Sequence, residues 1–153
     1  MKFSALATID MDEFRLKWRW TDAKYCLIPN SDLNLISPLN KTDSEIAWKK
    51  SLEFPNGDSE SSTDNLNFKD TQTGEVEENE ILSWLNEKLP HCQILISWQP
   101  DTAVITNTQI FIKYWDEFCY PSSDDVTIWP ESESWVLQYR HYEQFWYGEL
   151  ASV

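Results

Sequence analysis

Apolar and charged residues alternate strictly in "FRLKWRW", near the start of the chain. The apolar side chains fall on one face of an extended segment and the cations on the other: Phe14, Leu16, Trp18 and Trp20 against Arg15, Lys17 and Arg19. A period of two is typical of a half-buried strand. We therefore predict an N-terminal pair of strands, "FSALATI" and "FRLKWRW", joined by a turn at residues 10–13. The three cations either face solvent or lie against an acidic segment.

Two segments follow with the spacing and end signals of helices. In "KTDSEIAWKKSLEFP", Thr42 and Glu45 fit a capping box and Pro55 ends the element. In "EENEILSWLNEKLP", acidic residues favour the positive helix N-terminus and Pro90 ends the element. Its apolar residues share one face: Ile81, Leu82, Leu85 and Leu89.

The segment between these helices is rich in Ser, Asn, Asp, Thr and Gly. Such a composition buries little apolar surface. We predict a long acidic loop there, mobile over about residues 55–76.

The last 60 or so residues carry the densest pattern of apolar positions. "CQILISWQPDTAVITN" predicts two strands joined at Pro100 and Asp101. "TQIFIKYWDEFCY" then changes to a helical period, with Thr108 as its cap. Its buried stripe has i, i+3, i+4, i+7 spacing: Phe111, Tyr114, Trp115 and Phe118. "VTIWP", "SWVLQYR" and "QFWYGEL" predict three more strands.

This order of elements predicts the fold class. Hairpin-like pairs of strands alternate with isolated helices, which favours an antiparallel sheet over a parallel one. We predict one α+β domain over residues 1–153, with a mainly antiparallel β-sheet flanked by about three helices.

Composition narrows the range of partners. The chain has 12 Lys and Arg against 26 Asp and Glu, a formal net charge of -14. The excess lies in two blocks: residues 55–80, with eight acidic residues against Lys69, and residues 116–149, with eight against Arg140. Negative charge argues against binding to nucleic acid or anionic lipid and favours a basic protein partner. No apolar run approaches the roughly 18 residues that span a membrane, and the N-terminus lacks a signal-peptide core, so we expect a cytoplasmic location.

Residue types that carry catalysis or bind metals are present, but their spacing is not typical of such sites. Cys26, Cys92 and Cys119 are far apart, which favours reduced, partly buried thiols. The two histidines are singletons, whereas zinc ligands usually come in closely spaced pairs. Cys119 lies among carboxylates, which disfavours a thiolate. We predict no catalytic residues, no metal site and no cofactor.

Recognition of another protein is the remaining interpretation. In "SSDDVTIWPESESWVLQYRHYEQFWYGE", carboxylates interleave with tryptophan and tyrosine, and exposed aromatics rimmed by acids would suit a basic partner. The predicted partner-binding residues are Asp116, Glu117, Tyr120, Asp124, Asp125, Trp129, Glu131, Glu133, Tyr142 and Trp146. Asp124 and Asp125, in the predicted loop "YPSSDD", lie at the centre of this set.

Two segments carry a resemblance to known proteins. "ILISWQPDTAVITNTQIFIKYWDEFCYPSSDDVTIWP" and "WRWTDAKYCLIPNSDLNLISPL" resemble a family of small bacterial proteins, in which two strands lead into a helix and then into a strand with acidic turn residues. The chain is also similar to the small acidic immunity proteins that bacteria encode beside polymorphic toxins. The resemblance implies a binding protein that neutralises a toxin, and it carries no catalytic motif.

Three functions therefore stay open. The first is a non-enzymatic immunity or inhibitor protein that occludes a basic toxin, such as a nuclease. The second is an enzyme acting on a saccharide or another small molecule, with a carboxylate pair near Asp124 and Glu131 and a tryptophan platform. The third is a DNA mimic that presents carboxylates to a DNA-binding protein.

Overall fold

The computed structural model describes residues 1–56, 66–72 and 78–150. Side chains are described for residues 1–56 and 79–150, and only the backbone for residues 66–72 and Glu78. Two short 3-10 helices, Phe3–Ala5 and Met11–Glu13, open the chain. The α-helices of the described part are α1 Trp18–Thr21, α2 Asn30–Leu33, α3 Lys41–Ser51, α4 Glu78–Lys88, α5 Thr108–Lys113 and α6 Trp115–Phe118. The strands are β1 Cys26–Leu27, β2 Ser37–Pro38, β3 Leu66–Gln72, β4 Gln93–Gln99, β5 Thr102–Asn107, β6 Val126–Pro130, β7 Trp135–Arg140 and β8 Gln144–Leu150.

Seven of these strands form one antiparallel sheet in the order β2-β5-β4-β6-β7-β8-β3. Consecutive strands β4 and β5, β6 and β7, and β7 and β8 pair as hairpins, and β6 pairs with β4 across the intervening helices. The predicted α+β fold class is confirmed. Three of the six described α-helices have six or more residues, which agrees with the predicted number of flanking helices.

The sheet is buried on both faces by two separate apolar clusters. Successive side chains of a strand point to opposite faces. In β7, Leu137 and Tyr139 join the larger cluster, whereas Val136 joins the smaller one. The larger cluster also holds apolar residues of α4, α5, α6 and of residues 14–36, which we call the N-terminal segment, and the smaller one holds Phe3, Leu39 and Ala47 of α3. The two faces of the molecule are therefore formed by different parts of the chain.

The predicted N-terminal strands are wrong. "FSALATI" contains a 3-10 helix and a single bridge between Thr8 and Leu39, and "FRLKWRW" ends in helix α1. Strict alternation would place Trp18 and Trp20 on the same face, but Trp20 is completely buried and Trp18 is exposed. Phe14 and Trp20 stack with ring centroids 5.5 Å apart and lie in the larger cluster. The segment covers the sheet instead of joining it, because its two large rings fill that cluster.

The three predicted helical segments are helical, but two of their predicted N-caps are wrong. Helix α3 is capped by Asn40, whose side-chain oxygen accepts from the Asp43 N–H, so the predicted capping box at Thr42 is wrong. The predicted helix over "TQIFIKYWDEFCY" is also capped one residue earlier, at Asn107, and it divides into α5 and α6 at Tyr114. An asparagine before the first turn accepts a helix N–H as well as threonine does.

The predicted acidic loop at about residues 55–76 contains a strand. Residues Leu66–Gln72 form β3, which pairs along its whole length with β8. A long loop without secondary structure was therefore the wrong prediction for these residues, because pairing with β8 satisfies their backbone groups irrespective of composition. Of the rest of the predicted mobile loop, residues 57–65 and 73–76 lie outside the described residues.

Candidate functional site

The structure separates the ten predicted partner-binding residues into different places. Trp129 is completely buried in the smaller cluster, and Asp124 is only 7% exposed. Both were predicted to lie on the surface, and both predictions are wrong. Trp129 lies on the face of β6 that packs onto Phe54, with ring centroids 5.3 Å apart. Asp124 is buried because a cation from the N-terminal segment reaches it.

Three other predicted residues, Glu131, Glu133 and Trp146, lie in the turn between β6 and β7 or on β8. Glu133 forms an ion pair with Lys50 of helix α3. Burial would raise the pKa of Glu133, but hydrogen bonds from Lys50 and from the amino group of Met1 lower it. Glu131 is exposed in the turn between β6 and β7, and Trp146 is half-buried on β8.

Asp125 and Tyr142 occupy another exposed region. Asp125 accepts from the backbone N–H of His141 and lies 3.0 Å from its Nδ1 atom. The His141 ring in turn packs edge-on against Tyr142, with centroids 5.2 Å apart. Asp125 also borders a cavity of about 420 Å³, whose lining includes Trp48, Gln138 and Arg140.

The remaining predicted residues, Asp116, Glu117 and Tyr120, lie together around helix α6. The Tyr120 hydroxyl donates to Glu117 Oε2 at 3.1 Å, and the ring of Tyr120 is half-buried. Asp116 is exposed and Glu117 half-buried. This group is completed by two aromatic residues from the N-terminal segment.

Trp18 and Tyr25 place an exposed aromatic cluster beside those acids. The Trp18 ring contacts Tyr25 edge-on at 4.7 Å and Tyr120 at 6.0 Å between centroids. Trp18 is 37% exposed and Tyr25 is 47% exposed. We call the set Trp18, Tyr25, Asp116, Glu117 and Tyr120 the aromatic–acidic surface. Trp18 and Tyr25 come from a part of the chain about a hundred positions before the other three residues.

A buried ion pair holds the surface from below. Arg19 Nη1 and Nη2 donate to the two carboxylate oxygens of Asp124 at 2.6 and 3.0 Å. The Arg19 guanidinium carbon also lies 4.0 Å from the centroid of the Tyr120 ring and 5.4 Å from that of Trp18. Asp124 accepts from the Tyr120 backbone N–H at 2.8 Å as well. One carboxylate therefore fixes both Arg19 and the start of the loop that follows α6.

Two indole groups fix helix α6 from the core side. Trp20 Nε1 donates to the carbonyl oxygen of Glu117 at 3.0 Å, and Trp98 Nε1 donates to that of Phe118 at 2.8 Å. These carbonyls belong to the last turn of the helix, where no further helical N–H is available to bond them. The short helix that carries Asp116 and Glu117 is thus attached both to the sheet and to the N-terminal segment.

The electrostatics of Glu117 differ from those of an ordinary surface acid. Burial raises the pKa of Glu117, and Asp116 raises it further, whereas the hydrogen bond from Tyr120 and the charge of Arg19 act in the opposite direction. No ion pair to Asp116 or Glu117 occurs among the side chains that the structure describes. Glu117 is therefore a partly desolvated carboxylate with no paired cation in that part of the chain.

The predicted carboxylate pair for glycoside chemistry does not come together. Asp124 precedes β6 and Glu131 follows it, so the length of this strand separates them by about 20 Å. Glycosidase carboxylates lie about 5–9.5 Å apart. Asp124 is moreover bound to Arg19, and Glu131 borders an open groove of about 400 Å³ with Pro90 and Trp135. This pair cannot act as an acid and its partner on one substrate.

Other reactive groups are equally dispersed. The three cysteines are free thiols, and burial together with the charge of Asp124 raises the pKa of Cys119. Within residues 1–56, 66–72 and 78–150, no group of three His, Cys, Asp or Glu side chains could hold a metal ion. No helix in that part of the chain is long and apolar enough to cross a membrane.

Comparisons with protein-family models, with curated proteins and with solved structures found no match to this chain. Sequence patterns pointed to Asp116, Glu117 and Tyr120 but missed Trp18, Arg19 and Tyr25, because "FRLKWRW" alternates like a strand. Tyr25 lies beside Trp18 because the chain turns back on itself there, with a bridge between Asp22 and Cys26.

Proposed function

We propose that this is a non-enzymatic acidic binding protein, and that it acts as an immunity or inhibitor protein which occludes a basic toxin, such as a nuclease. The observation that supports this most is the aromatic–acidic surface, where Trp18 and Tyr25 are exposed beside Asp116 and Glu117. Exposed aromatics are typical anchors of protein interfaces. The net charge of -14 would steer a basic partner towards the surface and speed its association.

The rigidity of the surface is a second argument for recognition. Arg19, Asp124 and the indoles of Trp20 and Trp98 hold α6 and its neighbouring rings in one arrangement. A surface that is already ordered loses less conformational entropy when a partner binds. Such preorganisation suits an inhibitor, which has to outcompete the substrate of its target.

The decisive experiment uses the basic, toxin-like reading frame expected directly beside the gene. Its product should be lethal when expressed alone, and co-expression of this protein should restore growth and give a stable complex on gel filtration. Absence of a complex at low salt, with both proteins folded, would contradict the proposal.

Charge variants test whether the acids of the surface do the steering. Asp116→Lys combined with Glu117→Gln should slow association by about tenfold at low salt and flatten its salt dependence, because both lost charges lie at the contact. Glu45→Lys combined with Glu87→Gln changes the net charge equally at exposed positions of α3 and α4, and should alter the rate far less. Asp124 is unsuitable for this test because it is buried.

Competition separates the DNA-mimic hypothesis from a toxin inhibitor of another kind. If duplex DNA displaces this protein from its partner, and the displacement follows the DNA concentration, the protein occupies the partner's DNA-binding site. If DNA and this protein bind together, it covers a different surface of the partner.

A further inference from the structure

On their buried side, two rings of the aromatic–acidic surface, Trp18 and Tyr120, already contact a cation of the chain itself. Arg19 stacks over Tyr120, lies near Trp18 and makes two hydrogen bonds to one carboxylate. A planar guanidinium is suited to all three contacts, since it stacks on rings and donates in a fixed fork that matches a carboxylate. The buried side of this surface is thus an arginine site, occupied by Arg19.

The outer side offers the same chemistry to a ligand. Trp18 and Tyr25 remain well exposed there, and Asp116 and Glu117 border them. The acids and the rings are linked through Tyr120, whose hydroxyl donates to Glu117 Oε2 at 3.1 Å and whose ring centroid lies 6.0 Å from that of Trp18. Burial raises the pKa of the Cys26 thiol, next to Tyr25, and the charges of Glu117 and Asp116 raise it further. Lys24 of the chain already lies 5.8 Å from the centroid of Tyr25, so this ring accepts a cation.

A cation from a ligand would stabilise the charged form of Glu117. The charged and titratable groups around it are Asp116, Tyr120, Arg19 and Cys26, and among them Arg19 is already bound to Asp124. A half-buried carboxylate is stabilised when a cation pairs with it and donates hydrogen bonds.

We propose that the aromatic–acidic surface binds the guanidinium group of an arginine side chain on the basic partner, stacked against Trp18 and Tyr25 and hydrogen-bonded to Glu117 and Asp116. This inference rests on the proposed function, because it names the group of the partner that the surface selects. Arginine is preferred to lysine because an ammonium ion is more strongly hydrated and has no planar face to stack. An anionic lipid surface is disfavoured by the two acids.

The test uses the full chain and short peptides that differ at a single side chain. A Gly-Ser peptide with one arginine is titrated into the ¹⁵N-labelled protein, and the same peptide with lysine or with uncharged citrulline serves for comparison. We expect shifts at α6 and β1 with the arginine peptide, at least threefold weaker binding of the lysine peptide, and no shifts at these positions with citrulline. Equal binding of arginine and citrulline, or shifts confined to other surfaces, would overturn the inference.

Variants locate the site without unfolding the protein. Tyr25→Ala and Glu117→Gln, at exposed and half-exposed positions, should each weaken the arginine peptide at least threefold. Leu35→Ala removes an apolar side chain about as exposed as Tyr25, and Glu45→Gln removes an exposed acid elsewhere; both should leave binding of the arginine peptide unchanged. Equal losses from Glu117→Gln and Glu45→Gln would show that only overall charge matters, and equal losses from Tyr25→Ala and Leu35→Ala would show that the peptide does not bind at Tyr25; either result would overturn the inference.

The same variants separate this inference from the proposed function. If Tyr25→Ala and Glu117→Gln bind the toxin as well as the parent protein does, the function stands and the arginine site is refuted. If the arginine peptide binds as described but the basic toxin is not neutralised, the site stands and the immunity function is refuted.

Discussion

The N-terminal segment is attached to the rest of the molecule through two arginine–aspartate pairs that differ mainly in their exposure to water. Arg15 donates to both carboxylate oxygens of Asp101, in the turn between β4 and β5, at 3.2 Å. Arg19 also donates to both carboxylate oxygens of its aspartate, Asp124 before β6, but through two nitrogens, whereas Arg15 uses one. The first pair has side chains that are 59% and 43% exposed, whereas those of the second are 6% and 7% exposed.

Burial decides what each pair contributes. An exposed pair exchanges contacts with water and is worth about 0–1 kcal/mol. In a buried pair, loss of one partner leaves a charge without compensation and costs about 3–5 kcal/mol. The two attachments thus have the same chemistry but very different consequences when they are broken.

The largest effect is expected at the buried pair. Asp124→Asn keeps the shape of the side chain but leaves Arg19 charged and uncompensated, so the free energy of unfolding should fall by about 3–5 kcal/mol. Urea denaturation followed by tryptophan fluorescence measures the change. A loss below about 1 kcal/mol would mean that water reaches Arg19 and that the two pairs are equivalent.

A double variant separates the orphaned charge from the pair itself. Arg19→Met combined with Asp124→Leu removes both charges and retains apolar volume. Its unfolding free energy should lie closer to that of the parent protein than the Asp124→Asn value, because no buried charge is left. A double variant as unstable as the single one would show that the hydrogen bond from the Tyr120 backbone to Asp124 dominates.

The exposed pair should be far less sensitive. Asp101→Asn is expected to lower the unfolding free energy by less than about 1 kcal/mol, and the loss should shrink further in high salt. The measurement is the same denaturation series, at low salt and at 1 M salt. A loss as large as that of Asp124→Asn would remove the contrast between the two attachments.

The dependence of stability on pH gives a finer test of the exposed pair. The hydrogen bond from Thr102 lowers the pKa of Asp101, and Arg15 lowers it further. The stability that Asp101 contributes is therefore complete above its unfolded pKa of about 3.9 and is lost as the pH falls through its lower folded pKa. Asp101→Asn should flatten the decline of unfolding free energy between pH 5 and about pH 2. An unchanged slope would contradict the lowered pKa.

The stability linked to Glu117 should change with pH in the opposite direction to that linked to Asp101. Its pKa is raised by burial, so the folded state favours its protonated form, and the stability linked to protonation is lost as the pH rises through the folded pKa. Glu117→Gln should therefore increase the unfolding free energy at pH 7, within the roughly 0.5 kcal/mol typical of surface changes, and not at pH 3. Loss of stability at pH 7 would mean that Arg19 compensates Glu117 as well as Asp124.

The smallest change in unfolding free energy is expected from a backbone change in the loop before β6, which carries Asp124. Ser122 has a φ of 70°, in the left-handed region that favours glycine, and its N–H bonds the His141 carbonyl. Ser122→Gly should raise the unfolding free energy by a few tenths of a kcal/mol, since relief of strain slightly exceeds the entropy cost of glycine. Ser123→Gly lies outside that region and also removes the hydrogen bond from the Ser123 hydroxyl to Asp124, so it should instead be destabilising. Equal effects of the two changes would contradict this assignment.

Most of the sheet could be predicted because its signals are local. β4 and β5 are joined at Pro100 and Asp101, and strands β6, β7 and β8 occur where their patterns place them. The predicted strands of the N-terminal segment were wrong because contacts with distant residues determine how this segment folds. Arg19 is buried by a carboxylate 105 positions away, and neither residue carries a local sign of that pairing.

Local spacing likewise predicted only part of the candidate site, and the rest depends on distant contacts. Asp116, Glu117 and Tyr120 belong to one helical turn and its continuation, so their proximity follows from spacing in the sequence. Asp124 looked like an exposed loop acid because composition does not show burial. The contribution of Trp18 required the fold, since it reaches Tyr120 only when α1 lies over α6.

The indole hydrogen bonds of Trp20 and Trp98 make the end of helix α6 observable by spectroscopy. Each of the nine tryptophans gives one indole N–H resonance, well separated from the backbone amides. The protons of these two indoles are bound to the carbonyls of Glu117 and Phe118, so they exchange with solvent only when the helix end separates from the core. Their exchange rates therefore report the local opening free energy of the segment that carries Asp116 and Glu117, independently of global unfolding. A bound partner that clamps α6 should slow both protons together.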